Sequence, residues 1–237
     1  MALYAPQFHT VEQGQKLTNV DSWICTSLFP PNESLESTLK ANAASGLYAA
    51  DVAPNQGKLL YLLAKMNHCK RILEVGTLGG YSAICLAQAL PSSPSSKLIT
   101  LEIEERFAQV ARRNIANAGF ESVVEVKVGP ALQTLEEMRK QGTEGFDLVF
   151  IDADKENSLN YVKRALEFSH VGTVIIVDNV VRRGNPSDVG NGDDDPAILG
   201  MRDLFEMMKA EPRLDCTAIQ TVGSKGWDGF AIGLVIA

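Results

Sequence analysis

In the stretch FDLVFIDADKEN (146–157), an apolar run ends in Asp152, Asp154 and Lys155. A second run of the same kind, GTVIIVDN (172–179), ends in Asp178 and Asn179. Short apolar, β-branched runs such as these read as buried strands. If the two are neighbours in a sheet, the strands lie ~4.8 Å apart and their terminal acids converge. A close, buried acid pair is costly unless something neutralises it. A divalent cation would do so. The all-oxygen set Asp152, Asp178 and Asn179 selects a hard ion, Mg²⁺, with Ca²⁺ or Mn²⁺ as alternatives. The competing reading is two helix N-caps following two strands, and Asp154 could itself cap the next helix.

A third feature is RILEVGTLGGYSAICLA (71–87), which reads as strand, glycine turn and helix. Gly76, Gly79 and Gly80 let the chain turn sharply and let a ligand approach the backbone. No Gly-Lys-Ser/Thr follows, so the turn is not a Walker A loop, and its spacing is not a clean G-x-G-x-x-G. Glu74 places a carboxylate at the end of the first strand. A pyrophosphate gains nothing from that charge, whereas an amino or sulfonium group does. Glu102 ends the next run, KLITLE (97–102), where an acid can accept both hydroxyls of a ribose. The two acids together point to S-adenosylmethionine.

These residues need a scaffold that brings strand tips together. From residue 70 onward, β-rich runs at 71–75, 97–102, 123–128, 146–152 and 172–178 alternate with segments apolar at helical spacing. This predicts an α/β fold with a mostly parallel sheet covered on both faces. The alternation stops after an acidic loop at 184–196 and a helix. LDCTAIQTV and GFAIGLVIA then follow, joined by GSKGWD. So short a link permits only an antiparallel hairpin. Residues 1–69 read as a helical extension of a single domain spanning 1–237. Within it, Pro30-Pro31 ends one helix, NESLESTLKANAASG reads as a capped helix closed by Gly46, and Pro54 starts another.

Bulk properties narrow the function. A net charge of -7 argues against general binding to nucleic acid or to anionic membranes. The first fifteen residues show no basic segment followed by an apolar one, so no secretory signal is expected. No apolar run approaches the ~18 residues of a membrane span. Cys25, Cys69, Cys85 and Cys216 are scattered and read as reduced thiols of a cytoplasmic protein. With only His9, His68 and His170, none near another, a histidine-based zinc site or triad is not expected.

In combination, LEVGTLGGYS, LEIEERF, GPAL, FIDADKENSLNY and VDNVVRRG resemble the cation-dependent O-methyltransferases, a family that includes caffeoyl-CoA and catechol O-methyltransferases. The likeness spans roughly 40–237, and the ending IQTVGSKGWDGF is closest to microbial and fungal members. The resemblance implies a Rossmann-like sheet of seven strands and a homodimer. It also implies that Asp152, Asp178 and Asn179 bind the metal and that Lys155 is the general base. Val52, Glu74, Gly76, Ser82, Glu102, Ala131 and Asp154 would then line the S-adenosylmethionine site.

The implied acceptor is a small phenol with vicinal hydroxyls, of catechol, caffeoyl or flavonoid type. A phenol has a pKa near ~10 and is a poor nucleophile until a cation stabilises its phenolate. Arg182 and Arg183 stand where plant members carry an aromatic residue, so Arg182 is a candidate contact for the acceptor's tail, as is Trp227 on the hairpin. Two rivals stand beside this reading. One is an NAD(P)-dependent oxidoreductase, which the imperfect glycine fingerprint and the missing Tyr-x-x-x-Lys pair oppose. The other is a non-catalytic interaction module on the same fold.

Overall fold

A computed structural model of the protein describes residues 11–182 and 195–237, so most of the acidic loop at 184–196, and Arg183, lie outside the described residues. The strands are β1 (Arg71–Val75), β2 (Lys97–Glu102), β3 (Val124–Val128), β4 (Leu148–Ile151), β5 (Val174–Asp178), β6 (Leu214–Gly223) and β7 (Gly226–Val235). They form one sheet in the order β3-β2-β1-β4-β5-β7-β6. The first five are parallel; β7 runs antiparallel to both β5 and β6.

The helices are α1 (Val11–Leu28), α2 (Glu33–Ala44), α3 (Pro54–Met66), α4 (Tyr81–Ala87), α5 (Glu105–Asn117), α6 (Ala131–Lys140), α7 (Ser158–Glu167) and α8 (Pro196–Ala210). Local chemistry sets their ends. Asn32 accepts a hydrogen bond from the Leu35 N–H at 3.2 Å and starts α2. Pro54 occupies the first turn of α3, where its missing N–H costs nothing.

Side-chain alternation builds two cores from one sheet. Leu73, Val75, Val149 and Ile151 face the layer containing α6, α7 and α8. Ile72, Leu148 and Phe150 face the other way, toward α3, α4 and α5. Strands buried on both faces need apolar residues at every position, which is why β4 reads LVFI without interruption.

The expected bounds of β3, β4 and β5 move inward. Asp147 is withdrawn from β4 because its carboxylate accepts from the N–H groups of Lys70 and Arg71 at 2.7 and 2.8 Å. Gly172 turns at φ +96°, and Thr173 bonds the Phe146 carbonyl at 2.7 Å, so β5 begins only at Val174. The hairpin differs more. The expected six-residue link belongs largely to the strands, which leave only Ser224 and Lys225 between them. Gly226, at φ +92°, makes that tight turn possible.

The chain winds outward from β1 to β3 in one direction and from β4 to β5 in the other. The loops leaving β1 and β4 therefore part at the carboxyl ends of these strands. Such a switch point opens the crevice in which doubly wound sheets bind their ligands.

Candidate active site

The glycine turn leaves β1 into this crevice. Gly76 has φ +100°, and a Cβ there would lie 2.1 Å from the carbonyl oxygen of Asp152. The two strand tips thus meet backbone to backbone. A Cβ on Gly79 would lie 2.0 Å from Asn42 Oδ1, so α2 closes on the turn just as tightly. Glu102 braces the turn from β2: its carboxylate accepts from the Leu78 N–H at 2.7 Å and the Glu104 N–H at 3.0 Å.

Glu74 sits one residue short of the end of β1 and is fully buried. Thr100 donates to its Oε2 at 2.6 Å, while Oε1 has no hydrogen-bond partner. Burial pushes its carboxyl up to about 7, against the opposing hydroxyls of Ser82 and Thr100. An orphaned buried carboxylate oxygen beneath a glycine turn fits a cationic ligand group nearby.

The glycine turn borders a cavity of about 470 Å³ lined by Val52, Gly76, Ser82, Glu102, Ala131 and Asp154. The structure thus brings together six of the seven residues expected around the cofactor; Glu74 does not line the cavity, although its neighbours Val75 and Gly76 do. Tyr161 also lines it and was not expected. Its hydroxyl donates to Asp154, and burial, then that bond, pushes its pKa above the usual tyrosine range. Asp154 precedes the next helical turn, but its side chain caps no backbone N–H.

A second cavity, of about 660 Å³, adjoins the first; Asp152 and Asn179 line both. Asp178 lines the second, is 5% exposed, and accepts from the Asn179 N–H at 2.9 Å. Burial and then the charge of Asp152 push its carboxyl up to about 7, against Lys155, the Asn179 N–H and Gln56. Asn179 holds a left-handed φ of +57°, a conformation asparagine tolerates. Two carboxylates and an amide are therefore crowded at one point with one cation against them. That donor set fits a hard divalent ion.

Lys155 is buried on a single 3-10 turn, Lys155–Asn157, and its ammonium donates to Asp152 Oδ1 at 2.8 Å. It lines neither cavity and reaches the site only through Asp152. Helix α8 backs this turn so closely that a Cβ on Gly200 would lie 2.5 Å from the Lys155 carbonyl oxygen.

Arg182 lines the second cavity, as does Phe230. Trp227 lines neither; its indole N–H donates to Gln220 at 3.0 Å, and Gln220 faces the cavity in its place. Asp21, Asp51, Gln56 and Asp228 line the same cavity and had no signal in the sequence, because each lies far along the chain from the metal-type acids.

A sheet in this strand order, with a glycine turn after β1 and a ribose-type acid ending β2, defines the class of S-adenosylmethionine-dependent methyltransferases. A model of the O-methyltransferase family matches residues 29–229, and the chain belongs to that family. It is 44% identical over 225 residues to a catechol O-methyltransferase of Mycobacterium tuberculosis, covering 95% of this chain and 99% of that one. The O-methyltransferase of Bacillus cereus in complex with SAH superposes with a TM-score of 0.90 at 46% identity, covering 94% of this chain and 99% of that one. TomG of Streptomyces achromogenes, an O-methyltransferase in tomaymycin synthesis solved with SAM, gives 0.89 at 40% identity, with 94% and 99% covered. The oxidoreductase and non-catalytic readings fall with these findings. The protein is an S-adenosylmethionine-dependent O-methyltransferase.

Proposed function

We propose that the protein methylates one oxygen of a vicinal dihydroxy aromatic and that it does so with a divalent cation, Mg²⁺, held by Asp152, Asp178 and Asn179. The observation that carries this reading is the crowded acid pair at the tips of β4 and β5, set where the two cavities meet. Methyl transfer to an isolated alcohol would have no use for it. A bound cation would supply Lewis acidity, lowering the pKa of a phenol that it ligates.

The chain's own residues do the rest. Asp152, Asp178 and Asn179 offer oxygens that fix where the two acceptor hydroxyls lie. Glu102 holds the ribose, and Glu74 supplies negative charge beneath the cofactor's cationic end. The glycine turn and Val52 hold the methyl donor against the shared wall of the cavities, so that transfer proceeds in line through positioning. Lys155 is the residue assigned to receive the phenolic proton, which must pass Asp152 to reach it, because Nζ stands behind that carboxylate at 2.8 Å and lines neither cavity.

The decisive experiment compares acceptors. A mono-phenol offers one ligand instead of two, loses its orientation and keeps its higher pKa. Caffeic acid is expected to react at least ~100-fold faster than p-coumaric acid in kcat/KM, the scale of a lost alignment. Comparable rates on the two would overturn the chelation mechanism.

A second expectation concerns the cofactor alone. Glu102→Ala removes a charge-assisted bond to the ribose, worth ~1.5–3 kcal/mol, and should weaken S-adenosylmethionine about 10- to 100-fold by calorimetry. The acceptor's KM should move far less. Unchanged cofactor affinity would take Glu102 out of the site.

A further inference from the structure

The acceptor cavity carries charge that methyl transfer leaves unused. Outside the metal-type acids, its charged lining is Asp21, Asp51, Asp228, Lys225 and Arg182. Four of these five are engaged inside the protein. Asp21 accepts from the Ser224 N–H at 2.7 Å and from Asn55 at 2.9 Å. Asp51 accepts from Asn42 at 2.8 Å, and Lys225 donates to the Ala49 carbonyl at 2.7 Å. Asp228 Oδ1 accepts from the N–H groups of Val181, Arg182 and Gly229 at 3.2, 2.9 and 2.9 Å. The guanidinium of Arg182, half-buried, makes no hydrogen bond or ion pair with any described residue.

Its backbone, by contrast, is firmly set. Arg182 holds a left-handed φ of +45°. A residue with a Cβ keeps that conformation only where its surroundings impose it. Asp228 imposes it, gathering two successive N–H groups of the loop after β5 onto one oxygen of β7. The described part of this loop thus presents a half-buried guanidinium, with no partner among the described residues, to the cavity that Asp178 and Asn179 also line. Desolvating an arginine without a partner is unfavourable, and its planar fork matches a carboxylate in two bonds.

We propose that Arg182 recognises a carboxylate on the acceptor's tail and that Asp228 is the residue that positions it. The acceptor class is then a vicinal dihydroxy aromatic acid. This rests on the catechol reading above and deepens it.

The test measures kcat/KM for caffeic acid and for its methyl ester in wild type, Arg182→Ala, Arg182→Lys, Asp228→Ala and Asp228→Asn. In Arg182→Ala the acid-to-ester ratio should fall about tenfold, through the KM of the acid, as expected for one charge-assisted contact at a half-exposed site. Arg182→Lys should recover part of the ratio, because it keeps the charge and loses the fork. Asp228→Ala should lower the ratio, and Asp228→Asn, which keeps an oxygen for the three N–H groups, should hold it. An unchanged ratio in Arg182→Ala, including one in which acid and ester fall together, overturns the proposal and leaves the catechol reading standing. If the wild type methylates neither compound, the catechol reading fails and this one with it.

Discussion

Removal of divalent cations by EDTA is expected to abolish turnover of a catechol, by at least ~100-fold, and added Mg²⁺ is expected to restore it. The magnitude follows from the several kcal/mol that a Lewis acid contributes by stabilising a developing phenolate. Asp178→Ala should reproduce the loss without rescue by Mg²⁺. Its melting temperature should stay level or rise, because Asp178 is a buried acid held against the charge of Asp152. A fold that survives while activity disappears separates a functional acid from a structural one. Full activity after rigorous metal removal would dismiss the metal role of Asp152, Asp178 and Asn179 together.

Gly76→Ala should damage the protein in a different way. The new methyl would lie 2.1 Å from the Asp152 carbonyl oxygen, and the residue would have to hold φ +100°. Strand β1 cannot yield alone, since Val75 is paired with Ile151 in β4 and with Leu101 in β2. Overpacking costs about 1–3 kcal/mol and the left-handed backbone about 1–2 more. At roughly 2–4 °C per kcal/mol for a chain of this size, the melting temperature should fall by about 5–15 °C. The same displacement moves Asp152, so cofactor binding and turnover should both be lost. A melting temperature within a degree of wild type would show that the β1 and β4 tips do not meet as described.

The parts legible in the sequence are those governed by local chemistry. β1 and β2 have the expected bounds because apolar runs end at Gly76 and at the acid Glu102. The capped start of α2 at Asn32 and the proline start of α3 were likewise readable. Asp152 and Asp178 share a cavity because their strands neighbour each other, the condition on which their convergence was expected. What could not be read depended on partners far away. Nothing near Asp147 says that it will bond Lys70 and Arg71 instead of extending β4. Nothing in GSKGWD says that strand pairing will continue through Trp227 and Asp228 to a two-residue turn. Asn42 looks like an ordinary helix residue. Yet it is 2% exposed and joins Asp51 to Asn114, which also bonds the Gly79 carbonyl.

Asp21 joins the two ends of the chain: it bonds Ser224, 203 residues away, and Asn55 at the start of α3. The two cavities therefore mature at different moments of synthesis. The residues around the cofactor have all been made once β5 and Asn179 have been added, because those lining that cavity run only as far as Asn179. The acceptor's wall must wait for β6, its turn and β7, which are made later. Chains are made at ~5–20 residues per second and a domain folds as a unit, so the cofactor residues wait some seconds for the hairpin that completes the sheet. A chain cut short before the hairpin would keep every residue that lines the cofactor cavity and lose the acceptor's wall from Gln220 to Phe230.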